Sequence, residues 1–95
     1  RAVTMPDIYI ERDHELPPDE LRETVEKLAQ DLQEKEGLEY GWEEDTLWLK
    51  RSGVAGRISV TPEKLTVAAD LSMLFRPFRG RISQEIEAKL DELLA

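Results

Sequence analysis

Ninety-five residues support one hydrophobic core and not two, since a chain of this size buries roughly 60–70% of the surface that its unfolded form exposes. With 40% hydrophobic and 36% charged residues and no cysteine, the composition is that of a globular domain without disulfides or thiolate metal sites, and the single histidine, His14, denies zinc its usual nitrogen ligands. No apolar run approaches the roughly 20 residues that span a bilayer, so no transmembrane segment is expected. A net charge of −8 opposes phosphate backbones, and no nucleic acid partner is expected either.

The charge is unevenly spread. Residues 1–45 hold 15 acids and 5 bases, whereas residues 46–84 hold 2 acids and 7 bases. The middle of the chain is a basic island in an acidic sequence.

Residues 1–4 precede Met5 and are expected to be an appended or loose arm, leaving 5–95 as a single domain. The first residues lack the basic start and apolar core of a secretory signal, so cytoplasmic residence is expected. Asp7 to Arg12 alternates, with Ile8 and Ile10 on one side and Asp7, Tyr9 and Glu11 on the other, as a half-buried strand does. Pro17 and Pro18 pre-set a first helical turn and Asp19 and Glu20 suit its positive end. Leu21, Val25, Leu28, Ala29 and Leu32 then recur at helical spacing as far as Gly37, where a left-handed cap is expected with Leu38 folding back on it.

Three further turns divide the next stretch. Leu38, Tyr40 and Trp42 share a face, Glu43-Glu44-Asp45 reverses the chain, and Leu47 and Leu49 return. Ser52-Gly53 turns into Val54, Gly56, Ile58 and Val60, and Thr61 to Lys64 turns into Leu65, Val67, Ala69 and Leu71. From Leu74 the period becomes helical, with Leu74, Phe78, Ile82, Ile86, Leu90 and Leu93 on one stripe, although Pro77 and Gly80 leave the start of this helix open. The order β-α-β-β-β-β-α predicts an α+β domain, an antiparallel curved sheet with both helices on one apolar face.

Taken together, the opening IYIERDHEL, the cap Gly37-Leu38, Tyr40 and Trp42, Asp45-Thr46-Leu47, Arg51-Ser52-Gly53-Val54, Gly56 and the closing Leu90-Asp91 resemble the polyhydroxyalkanoic acid system proteins, a small bacterial family. The resemblance covers nearly the whole chain and implies a setting in bacteria that store polyester granules. It carries over no activity and no site residues. The element order is also similar to a reduced helix-grip fold, in which a C-terminal helix crosses a curved sheet above a cavity for apolar ligands. With fewer strands here, a filled core is expected in place of that cavity.

The candidate sites are surfaces. Lys50, Arg51, Arg57, Arg76, Arg79 and Arg81 make up most of the basic island and would hold an anion if they converged, or else pair with the acidic half of the chain. Trp48 runs out of phase with Leu47 and Leu49, so it is expected exposed on the opposite sheet face with Tyr9, as an interface for a protein partner or a homodimer. His14 is read as bonding backbone near the start of the first helix in preference to acting as an acid or base. Glu43, Glu44 and Asp45 are read as a solvated turn in preference to a cation site. Leu71, Met73, Leu74, Phe75 and Phe78, edged by Arg76, Arg79 and Arg81, are expected in the core, although the same pattern suits a lipid or polymer surface. These features favour a non-enzymatic accessory protein without cofactor, contacting a protein partner or a polyester granule surface in the cytoplasm. The alternative is a small acyl-binding module.

Overall fold

In a computed structural model the chain is described over residues 6–94, so the expectation for residues 1–4 lies outside the described residues. The elements are β1 (Ile8–Asp13), α1 (Pro18–Glu36), β2 (Glu39–Glu43), β3 (Thr46–Arg51), β4 (Val54–Val60), β5 (Lys64–Leu71), a 3-10 turn (Arg76–Phe78) and α2 (Arg79–Leu94). Each strand keeps the two-residue period seen in the sequence, and each turn falls where Gly, Pro or acidic residues interrupt it.

The five strands form one open, curved antiparallel sheet in the order β1-β5-β4-β3-β2. Four consecutive strands make a meander, and β1 joins beside β5 with Ile8 opposite Ala69 and Ile10 opposite Val67. Because the side-chain period is two, this register sends Ile8, Ile10, Leu65, Val67, Ala69, Leu71, Ile58 and Leu47 to one face. Leu21, Val25 and Ala29 of α1 and Leu90 of α2 close the core from that side. Helix α1 lies against β4 and β2, and α2 against β1. Both helices therefore cover the same face.

Helix α1 starts and stops as its sequence signals require. Proline occupies its first turn with Asp19 and Glu20, and Gly37 ends it at φ 70°, its N–H bonding the Gln33 carbonyl at 3.1 Å. Leu38 is buried just beyond.

The second helix departs from its expectation. It begins at Arg79 and not near Leu74, because the backbone from Ser72 onward is spent in tight turns: the Ser72 carbonyl accepts from the N–H of Phe75 and of Arg76, and the Phe75 carbonyl accepts from that of Phe78. The predicted stripe is therefore cut: of its members only Ile82, Ile86 and Leu90 pack against the core, and Leu94 does so where Leu93 was expected. Met73, Leu74 and Phe78 are 82%, 74% and 54% exposed, which overturns the expectation that the whole of Leu71 to Phe78 is core. The reason is geometric. Leu71 pairs with Val54 in the last row of the sheet, so residues beyond it project past the layer that would have buried them.

Candidate functional site

The end of the sheet beyond Val54 and Leu71 carries the most unusual surface. Gly53 turns the chain at φ 87°, and its carbonyl accepts from the N–H of Ser72 at 2.9 Å, fixing the connection after β5 to the β3–β4 turn. Phe75 folds inward against Gly53, where a Cβ would meet the ring at 2.6 Å. The Arg51 guanidinium sits 5.9 Å from the centre of the same ring and donates to the Glu36 carbonyl at 3.1 Å. With Phe75 turned in, Met73, Leu74 and Phe78 are left facing water as a tip.

The basic island does not converge on one anion site, but most of it gathers around this end. Arg76 lies 3.6 Å from Asp7, and Arg81 lies 3.6 Å from Glu85 one helical turn on. Arg79 is exposed at the start of α2, and Lys50 and Arg51 close β3 beside the Gly53 turn. Arg57 stands apart, in mid-strand on the sheet face that no helix covers.

That helix-free face presents a row formed by register: Tyr9 opposite Ala68, Ala68 opposite Arg57, Arg57 opposite Trp48 and Trp48 opposite Gly41. Trp48 is on the predicted face, yet it is half-buried and not freely exposed. Its ring lies over Gly41, where a Cβ would be 2.6 Å from it. Tyr9 is exposed, but it stands three strands away, roughly 14 Å at about 4.8 Å per strand. The two aromatics therefore flank Arg57 without touching.

Sequence reasoning missed a polar cluster on the helix side of the β2 edge. Tyr40 and Trp42 alternate onto that face and meet Glu26 of α1: the Tyr40 hydroxyl donates to Glu26 Oε2 at 2.5 Å and the Trp42 indole to Oε1 at 2.6 Å. Arg22, one turn earlier on α1, stacks 4.0 Å from the Trp42 ring centre and donates to the Glu44 carbonyl at 3.0 Å. The only sequence signal was that Glu26 adjoins the apolar stripe of α1, which is equally consistent with a solvated position.

These bonds set opposite titrations. The Tyr40 and Trp42 donors hold the Glu26 carboxyl below its usual 4.5. The Glu26 carboxylate in turn holds the Tyr40 phenol above its usual 10.0. A depressed acid stabilises the fold fully above its unfolded pKa and loses this as pH falls through its folded value; a raised phenol contributes below its unfolded pKa and loses this as pH rises through its folded one. Urea unfolding of wild type should therefore show a stability plateau between these limits. Glu26→Ala should lower that plateau by about 1 kcal/mol and flatten the acid limb. An unchanged acid limb in the variant would remove the cluster from the account.

The remaining candidates have structural partners. His14 bonds the Thr61 carbonyl through ring Nε2 at 2.7 Å, and its backbone N–H donates to the Glu63 carbonyl at 3.1 Å. It thus pins the β1–α1 connection to the β4–β5 turn, and not to the helix start as expected. The acidic turn is clasped by Arg22, 3.7 Å from Asp45, and among the described residues no three His, Asp or Glu groups are placed to hold a metal ion. Two open depressions flank α1: one of about 230 Å³ is lined by Leu21, Arg22, Asp45 and Thr61 at its start, and one of about 370 Å³ by Gly37, Glu39 and Lys50 at its end. Neither lies under α2, where Ile82, Ile86 and Leu90 pack on the core.

Among the described residues no helix is long and apolar enough to cross a membrane. No curated protein and no solved structure matches the chain. One family does, that described as "Putative polyhydroxyalkanoic acid system protein", which matches residues 8–94. With strands, helices and tip all inside that match, the chain belongs to this polyhydroxyalkanoic acid system family.

Proposed function

We propose that this is a non-enzymatic accessory protein that attaches to the surface of polyester storage granules through the tip formed by Met73, Leu74 and Phe78. The observation that carries the reading is the exposure of three large apolar side chains in one short connection; among the described residues Tyr9 is the one other large hydrophobic exposed to that degree. Contiguous exposed apolar groups rimmed by polar ones mark contact surfaces. The family description supplies the polyester setting.

The connection is also built to hold its shape. The Ser72 to Gly53 bond and the seating of Phe75 on Gly53 order the backbone from which the three side chains project. Less conformational entropy then remains to be lost on contact.

Co-sedimentation with isolated polyester granules tests this. The triple variant Met73→Gln, Leu74→Gln, Phe78→Gln should keep the wild-type circular dichroism and lose at least about tenfold in apparent affinity, since burying even one such side chain contributes about 1.5–3 kcal/mol. Equal co-sedimentation of the two forms would end the docking reading.

A further inference from the structure

The tip is not apolar alone. Residues 71–84 hold three arginines, Arg76, Arg79 and Arg81, and no acid, in a chain whose net charge is −8. The arginines follow Met73 and Leu74 in the chain, and Arg76 and Arg79 bracket Phe78. The first turn of α2, which presents the positive end of that helix, carries no acidic residue either. A purely neutral polymer would gain nothing from such charges and would impose a desolvation cost on them. Their placement calls for an anionic layer lying over an apolar one.

We propose that the tip recognises an interface of acidic phospholipid headgroups, with Met73, Leu74 and Phe78 entering among acyl chains while Arg76, Arg79 and Arg81 meet the phosphates. The proposal rests on the docking reading and states what the docked surface must carry. Arginine suits the task because its planar fork can bind phosphate oxygens in pairs. Arg81 is loosely held, since it and Glu85 are 80% and 71% exposed and exposed pairs of this kind contribute little. Arg76 is 59% exposed and is positioned by Asp7, which is only 17% exposed and also accepts from the Leu71 N–H. Arg79 forms no ion pair among the described residues. The acids of the β2–β3 turn and of the start of α1 lie at the opposite end of the sheet, while at this end Asp7 is engaged by Arg76 and the Leu71 N–H, and Glu36 by Arg51.

The test compares the full chain on three probes: phosphatidylglycerol vesicles, phosphatidylcholine vesicles and bare polyester particles. Binding to phosphatidylglycerol should exceed binding to either neutral probe by about tenfold or more, and should fall as salt is raised from 0.05 to 0.5 M. The double variant Arg79→Gln, Arg81→Gln should lose most of that preference while keeping the residual binding that the apolar triad provides. Equal binding to all three probes, dependent on the triad, would overturn the acidic-lipid proposal and leave granule docking standing. Binding to none of them, nor to isolated granules, would overturn both.

Discussion

Replacing Leu90 by alanine should cost about 3–4 kcal/mol, as large-to-small changes at fully buried leucines do. The effect should be severe because Leu90 is the one fully buried residue of α2, at 2% exposure, while Ile82, Ile86 and Leu94 are only partly covered. Besides those partly covered side chains, α2 is held on β1 by polar contacts outside the core: Arg12 reaches Glu87 at 3.2 Å and Asp91 at 3.4 Å, and such partly exposed pairs contribute at most about 1 kcal/mol each. Urea unfolding followed by circular dichroism measures the loss. Native-state hydrogen exchange should show protection falling first in α2, with the sheet amides following global unfolding. A loss below about 1 kcal/mol, with α2 protection intact, would mean that the helix is held by something other than this contact.

Alanine at Gly53 should be nearly as damaging, by about 2–4 kcal/mol, through two separate mechanisms. At φ 87° a Cβ is strained whatever the surroundings, and here it would also stand 2.6 Å from the Phe75 ring. The steric part is relieved by shortening the partner, the backbone part is not. Gly53→Ala combined with Phe75→Ala should therefore cost less than the two single changes added together, with a coupling of about 1 kcal/mol or more. Because the Ser72 to Gly53 bond seats the connection that carries Met73, Leu74 and Phe78, granule binding should weaken in Gly53→Ala even where the protein remains folded. Strict additivity of the two changes would show that Phe75 does not rest on Gly53 in solution.

Both variants concern the border between what alternation dictates and what lies beyond it. Along the strands, Ile8, Ile10, Leu47, Ile58, Leu65 and Val67 declare their face by spacing alone, and all are buried there. The cap at Gly37 and the turn at Gly53 were equally plain, since only a few residues tolerate left-handed backbone. The connection from Met73 to Phe78 was misread for a physical reason: a helical period shows which side chains could share a face, not whether a second layer extends far enough to cover them. Trp48 was misread similarly, because period two gave its face while the glycine opposite it, known only from strand register, gave its burial.

The amino-acid order by itself determined the α+β class, the number and order of strands and helices, and the apolar face on which both helices lie, because these follow from local periodicity and turn chemistry. Only the tertiary structure decided the rest. It put β1 beside β5, joined Glu26 to Tyr40 and Trp42 across residues 14 and 16 apart, scattered Arg57 away from the other cations, and left the tip uncovered at the end of the sheet. Those are outcomes of strand register and of where one layer stops above another. Neither is written in the spacing of any single segment.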